Sequence, residues 1–320
     1  MPRVTVITPA HDSADTIAAA VASVRQQTFS DWEHVVADDA SSDRTPATLA
    51  ALAAEEPRLR VVRSDSNVGP AGARNLAIEQ ASGELLAFLD ADDRLLPDYL
   101  ERLVELSDRA RASGRRVGIA GCDAYLEDHR GRLPYTHADL HGRPDGATLT
   151  DVLRANPIFV SALSPAAVVA AAGGFSTECW GSEDHDLWLR ILELGYEVIA
   201  TTEPLVVYRV ADGSISSSAV GMARTTQATY RRALDRGRLD ARQRRIARAA
   251  LRTARAAEAF ERLAERTDAD RRSRLRAGAR ALPAFAAAAL SQPRRWPHWL
   301  RLLAARARQA RSPADRSSGA

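Results

Sequence analysis

Asp90, Asp92 and Asp93 follow an unbroken apolar run, Leu85-Leu86-Ala87-Phe88-Leu89, and only Ala91 interrupts them. Carboxylates crowded this closely repel one another and call for a cation. One or two carboxylates together with substrate phosphates are the oxygen ligands that Mg2+ or Mn2+ prefers, so the pattern points to a metal and diphosphate site. The plain alternative is a solvated acidic turn that caps a helix starting near Pro97. A second acidic turn, Asp38-Asp39-Ala40-Ser41-Ser42-Asp43, closes another apolar run. Asp39 is suited to accept a hydrogen bond from a nucleobase N–H, whereas Asp43 and Thr45 suit helix capping. Arg74 is the candidate cation of Asn67-Val68-Gly69-Pro70-Ala71-Gly72-Ala73-Arg74-Asn75, a turn entering a helix, where arginine also serves as a surface residue.

Elements of a particular kind must hold these groups. Five apolar residues are too few for a free-standing helix and suit a parallel strand covered on both faces, whose C-terminal end is where such sheets bind ligands. Strand patterns at 4–8, 34–38, 59–63, 85–89 and 117–121 alternate with helical patterns at 15–27, 46–55, 70–80 and 97–112. The alternation predicts an α/β fold with a mostly parallel sheet and helices on both faces. Pro46, Pro70 and Pro97 fit first-turn positions, where a missing N–H costs nothing. Residues 127–146, rich in Gly, Pro, His and Arg without a period, read as loop. A helix over 182–194 and strands over 197–199 and 205–208 complete the pattern.

Composition removes several chemistries. The first strand ends in Thr8-Pro9-Ala10-His11-Asp12 rather than a glycine-rich turn, which argues against a nicotinamide or flavin enzyme. The chain has no lysine, so a Schiff base, a lysine base and a Walker-type lysine are excluded, and phosphate must be met by metal, arginine or backbone. Two cysteines, Cys122 and Cys179, cannot make a disulfide framework, which suits a reducing compartment. The opening strand pattern lacks the features of a signal peptide and no stretch has the length of a membrane span, so a cytoplasmic location is expected. The net charge of +3 conceals two halves of opposite sign. From Met222 to Ala320, 25 Arg stand against 8 acidic residues, a charge of +17, while the preceding residues carry −14.

The order and spacing of these segments resemble family 2 glycosyltransferases of the GT-A, Rossmann-like fold. The segments that carry the resemblance run from Val4-Thr5-Val6-Ile7-Thr8-Pro9-Ala10-His11-Asp12 through Asp38 to Asp43, Asn67 to Asn75, and Gly83 to Asp93. They continue with Gly173-Gly174-Phe175, Glu183-Asp184-His185-Asp186-Leu187-Trp188-Leu189-Arg190 and Tyr208-Arg209. The resemblance implies a nucleotide-sugar donor held by Thr8, Pro9, Asp39, Arg74 and Asp90, with Asp39 on the base and Asp90 on the ribose. It implies a divalent metal, Mg2+ or Mn2+, on Asp92, and Asp184 as the base that deprotonates an acceptor hydroxyl, with Glu183 as its rival and Asp186 structural. The acceptor, a saccharide or a lipid-linked one, would lie on the side of Gly174, Phe175 and Trp180, and transfer would invert the anomeric carbon. Cell-envelope or extracellular polysaccharide or glycolipid synthesis is the expected setting. The chain departs from many members in having His11-Asp12 for Tyr-Asn, and Ala211 where a histidine often follows the Tyr-Arg pair.

The resemblance spans about Val4 to Ser218, which implies one domain over 1–219, and leaves a basic Ala/Arg-rich helical extension over 220–311 and a tail over 312–320 with the composition of disorder. Arginine beside Trp296, Trp299 and Leu300 in 294–308 suits docking on an anionic membrane surface, which would make the protein peripheral at the inner face of the plasma membrane. Two other readings stand beside the enzyme: a non-catalytic nucleotide-sugar-binding module of the same fold, and a nucleic-acid or membrane-surface binder acting through the basic end. The acids of the first half argue against nucleic acid as the main partner.

Overall fold

Alternating strand and helix patterns assemble, in a computed structural model that describes residues 1–210 and 219–266, around one nine-stranded sheet. The first part of the chain runs β1 (Val4–Ala10), α1 (Ile17–Arg25), β2 (Trp32–Asp38), α2 (Thr45–Glu55), β3 (Leu59–Arg63), α3 (Gly69–Glu79), β4 (Leu85–Phe88), β5 (Arg94–Leu95) and α4 (Tyr99–Ala112). It continues with β6 (Val117–Asp128), β7 (Gly131–Thr136), α5 (His137–His141), α6 (Leu149–Arg154), β8 (Leu163–Pro165) and α7 (Ala166–Ala171). After a 3-10 turn at Thr177–Cys179 come α8 (Glu183–Glu193), β9 (Glu197–Arg209), α9 (Ala219–Asp235) and α10 (Ala241–Arg266).

β3, β2, β1 and β4 pair in parallel, so the C-terminal ends of β1, β2 and β4 meet at one edge. β8 is antiparallel to both β4 and β6, and β6 and β9 are parallel to each other. β8 therefore enters the sheet from that same edge, and the residues just before it lie there as well. β4 is buried along its whole length. Its alternate residues serve two cores: Leu85 and Ala87 pack with α1 and α4, Leu86 and Phe88 with α3 and α8. Burying each such leucine contributes about 1.5–3 kcal/mol, which fixes the register of the strand that ends in Asp90 to Asp93.

Several expectations change. Residues 127–146 contain β7 and α5 rather than only loop: Thr136 and Asp139 form a reciprocal capping box that starts α5 in a stretch without helical period. β8, too short to give a pattern, inserts an antiparallel strand into the sheet. Pro97 lies just before α4, whose N-cap is Asp98, instead of inside its first turn. Tyr230, Ala233 and Leu239, with Ala247, Ala250 and Leu251 of α10, share the core of Trp188 and Leu187, so the described part of the basic segment packs into the α/β body. Ala211, the segment 294–308 and the tail 312–320 fall outside the described residues.

Candidate active site

At the donor edge, the Asp39 carboxylate is 2% exposed and draws the following loop onto itself. It accepts from the Ser64 hydroxyl at 2.8 Å, from the Val68 N–H at 2.8 Å and from the Gly69 N–H at 2.8 Å. Gly69 takes a φ of +75°, a conformation that favours glycine. His11 closes the arrangement. Because the Gly69 N–H also donates to Asn67 Oδ1 at 3.0 Å, the Asn67 amide presents its NH2 to His11 Nε2 at 3.0 Å. That assigns the ring proton to Nδ1, which donates to the Asp39 carbonyl at 2.7 Å. Thr8 is fully buried with its hydroxyl 2.9 Å from His34 Nε2, and Pro9 is buried, so both shape this edge through the backbone. Burial pushes His34 down to about 3, which keeps it neutral.

Arg74 is an internal strut. Its guanidinium is 3% exposed, donating to Glu183 at 2.6 Å and to Asp90, and it stands 5.2 Å from the centroid of the Phe175 ring. Both terminal nitrogens are thus committed to carboxylates, while the buried Nε has no hydrogen-bond partner among the described residues. Asp92 keeps an exposed surface, yet burial of its carboxylate and then the charge of Asp90 raise it to about 6. Asp93 is 1% exposed and pushed well above the carboxylate range by burial, Asp90 and Asp92; it accepts from the Arg209 N–H at 2.9 Å, fastening β9 to the acidic turn. Asp92 has no ion pair among the described residues and Asp93 Oδ2 is buried without a hydrogen-bond partner, which fits a divalent cation. Among the described residues no three His, Cys, Asp or Glu side chains form a cage, so the fit is to a cation held by one or two carboxylates and completed by phosphate oxygens.

α8 starts at the same edge with Ser182 as its N-cap. Asp184, in the first turn and half-buried, accepts from the Asn156 side chain at 3.3 Å, and burial followed by the charge of Glu183 raises it to about 7. Beside it, Asn75 clamps the Phe175 backbone in both directions, receiving its N–H at 2.8 Å and donating to its carbonyl at 2.8 Å. Gly174, at φ +67°, makes that approach possible: a Cβ there would fall 2.9 Å from Asn75 Oδ1. Phe175 packs edge-on against Phe88 at 5.0 Å. Trp180 is 54% exposed and its ring lies over Gly69, at the loop that Asp39 holds, so a residue expected on the acceptor side also meets the donor side.

Asn75 and Asn156 are not marked as site residues by the sequence. Asn75 has only its place next to Arg74 as a signal. Asn156 had none, because only the antiparallel entry of β8 brings its segment to this edge.

The sequence model of the family described as "Glycosyl transferase family 2" matches residues 5–154, from β1 to the end of α6. The succinoglycan biosynthesis protein ExoO of Rhizobium meliloti (strain 1021) is 39% identical over 161 residues, 50% of this chain; the chain spans only 44% of that relative's length. TuaG of Bacillus subtilis (strain 168), whose name places it among teichuronic acid biosynthesis glycosyltransferases, is 32% identical over 232 residues, 72% of this chain and 88% of TuaG. The UDP-Glc:alpha-D-GlcNAc-diphosphoundecaprenol beta-1,3-glucosyltransferase WfgD of Escherichia coli is 38% identical over 103 residues, 32% of this chain and 40% of its own. Among solved structures, the mannosyltransferase PcManGT from Pyrobaculum calidifontis, in complex with GDP-Man and Mn2+, superposes with a TM-score of 0.61. At 24% identity, over 92% of this chain and 82% of that one, the likeness speaks for the GT-A fold. The motif order, the matched segment and the near full-length likeness to TuaG agree: the chain belongs to glycosyl transferase family 2.

Proposed function

We propose that the chain is an inverting, divalent-cation-dependent glycosyltransferase that moves a sugar from a nucleotide-sugar donor to a hydroxyl of a saccharide or lipid-linked acceptor, in cell-envelope or extracellular polysaccharide or glycolipid synthesis. The observation that carries this reading is the unequal treatment of adjacent carboxylates at the start of α8. Glu183 is paired with Arg74 and Asp186 with arginines, whereas Asp184 has no ion pair among the described residues and is raised to about 7. A base works best when its pKa lies near the working pH, so the geometry favours Asp184 over Glu183.

In the transfer, the acceptor oxygen attacks the anomeric carbon while its proton passes to Asp184. The bond from that carbon to the diphosphate oxygen breaks, and its electron pair leaves with the nucleoside diphosphate; a single displacement inverts the carbon. Asp39 orders the loop around the base, Asp90 meets the ribose, and Gly174, Phe175 and Trp180 bound the acceptor side. Asp92 would hold the Mg2+ or Mn2+, which supplies charge to stabilise the departing diphosphate. The names of ExoO, TuaG and WfgD, and the GDP-Man and Mn2+ of PcManGT, support the class of donor, acceptor and cofactor.

A screen of UDP-, GDP- and dTDP-sugars with Mn2+ or Mg2+, reading released nucleoside diphosphate with and without saccharide acceptors, tests the proposal. Tight binding without release or transfer would favour the non-catalytic module instead.

One observation favours a membrane-surface partner at the cytoplasmic face. Arg245, Arg248, Arg252 and Arg255 recur at helical spacing on the exposed side of α10 without ion pairs among the described residues, while Ala247, Ala250, Leu251 and Ala254 are buried behind them. No described helix is long and apolar enough to cross a membrane. A cationic face of this kind suits anionic headgroups, and a lipid-linked acceptor would then be delivered beside the enzyme.

A further inference from the structure

The first turn of α8 holds three acids, Glu183, Asp184 and Asp186, and α9 is built against the third of them. Asp186 is fully buried. Arg190, one turn along α8, donates to it at 2.8 Å; Arg236, in the turn just after α9, donates at 3.0 Å; and Arg232 Nε of α9 lies 3.5 Å away. Both of these arginines are themselves held. Arg236 grips Glu193 through two bonds of 2.8 and 2.9 Å, and Arg232 reaches Glu178, in the 3-10 turn, at 2.6 Å. Higher on the same helix, Thr229 is fully buried with its hydroxyl 2.9 Å from that of Ser182, the N-cap of α8, and Tyr230 meets the His185 ring edge-on at 5.7 Å. α9 and the turn after it therefore touch α8 at its cap, its first turn and its last turn.

A single cation is enough to balance one buried carboxylate, and Arg190 already provides it. Two further guanidiniums from outside α8 do something else: Arg236, whose planar fork is fixed on Glu193, donates one bond to Asp186, and Arg232 adds a cation 3.5 Å away, so Asp186 is tied to a rigid support. Asp184 lies two residues before Asp186 on the same turn. We propose that Arg232 and Arg236 are positioning residues for sugar transfer, acting through Asp186 to fix the first turn of α8 and thereby the Asp184 carboxylate, so that α9 is a working part of the transfer site. The proposal rests on Asp184 as the base.

The charged and titratable groups around this turn are Arg74 and Asp90 on the donor side, and Glu183, His185, Arg190 and Glu193 on α8 itself. Glu178 and Cys179 face it from the 3-10 turn, Arg232 from α9 and Arg236 from the turn after it. Removing Arg232 or Arg236 takes a cation away from the start of α8, so the base should also become harder to ionise.

The test uses the full-length chain carrying Arg236→Met, Arg236→Lys or Arg232→Met, with Asp184→Asn as the reference. Affinity for UDP or GDP with Mn2+, whichever the wild-type chain binds, is read by calorimetry, together with kcat, its pH profile and the melting temperature. Arg236→Met is expected to lower kcat at least about tenfold at a temperature where the protein is folded, with nucleotide affinity within about twofold of wild type. The acidic limb of its pH profile should move upward. Arg236→Lys, which keeps the charge but loses the fork, should recover the pH profile and only part of kcat. Arg232→Met, at a partly exposed side chain, should show the same split more weakly and decides the matter if Arg236→Met does not fold. If both folded variants keep kcat and the pH profile while only the melting temperature falls, the positioning role is overturned. If instead Asp184→Asn retains turnover, the fault lies in the choice of base, a different result from an inert Arg236→Met beside a dead Asp184→Asn.

Discussion

Arg74 holds Glu183 through a 2.6 Å ion pair between side chains only 4% and 7% exposed, and the same guanidinium reaches Asp90 on the other side of the cleft. Donor edge and base helix are thus joined through one buried cation. Removing it leaves a buried carboxylate without a partner, which costs several times what a surface pair contributes. Arg74→Met should lower unfolding free energy by about 3–5 kcal/mol in a denaturant titration. Arg74→Lys should recover little, because one ammonium cannot serve both carboxylates in the geometry of a guanidinium fork. A change under about 1 kcal/mol for Arg74→Met would argue against the strut.

Asp184→Asn should separate binding from transfer. Asparagine keeps the shape and removes the proton acceptor, so nucleoside diphosphate affinity should stay near wild type while transfer falls about 10²-fold or more. With the base raised to about 7, wild-type kcat should rise with pH through that value and level off above it. The linked stability has the opposite sign. A carboxyl with a raised folded-state pKa contributes stability in full below its ordinary 3.8 and loses it as pH rises through about 7. Asp184→Asn, neutral throughout, should melt higher than wild type above pH 7. Equal melting and unchanged turnover would make Asp184 an ordinary first-turn acid.

Asp92→Asn should abolish metal-dependent binding of the nucleoside diphosphate, since the acidic edge would repel the diphosphate once its cation is lost. With the Asp92 carboxyl raised to about 6, Mn2+ must displace a proton there, so metal-dependent affinity in the wild type should weaken as pH falls through that value. Calorimetry in two buffers of different ionisation enthalpy reads both effects. Undiminished metal dependence in Asp92→Asn would remove this residue from the cation site.

Gly174→Ala should be destabilising by about 1–3 kcal/mol, because alanine must adopt a φ of +67° and place its Cβ 2.9 Å from Asn75 Oδ1. The clamp on Phe175 should loosen, and the acceptor KM should rise more than the donor KM. Steady-state kinetics against both substrates checks this, and an equal rise in the two constants would place the effect elsewhere.

Replacing Arg245, Arg248, Arg252 and Arg255 together with glutamine should reduce co-flotation of the full-length chain with phosphatidylglycerol vesicles at low salt while leaving transfer to a soluble acceptor intact. Truncation after Ala219 would be a poorer experiment, because it also removes α9 and α10 residues that complete the core around Trp188. Equal flotation of the two proteins would leave that face as solvated helix.

The sequence by itself determined which chemistry the chain can carry and where its parallel strands end. The apolar run before Asp90 suits a covered strand, the absence of lysine and of a glycine-rich turn restricts how phosphate is met, and the order of acidic turns marks the family. These are local properties, written in spacing and residue type. The tertiary structure alone decided how the charges are shared out. Arg74, a candidate cation at the start of a helix, is bound between Asp90 and Glu183, 16 and 109 residues away. Asn156 reaches Asp184 because the three-residue β8, too short for any pattern, turns back along β4. Arg232 of α9 and Arg236 just after it read as part of a basic appendage and lie against a buried Asp186. Such pairings depend on which elements pack together, and burial, by raising the strength of every ion pair it encloses, then separates one ionisable base from equally acidic neighbours in the sequence.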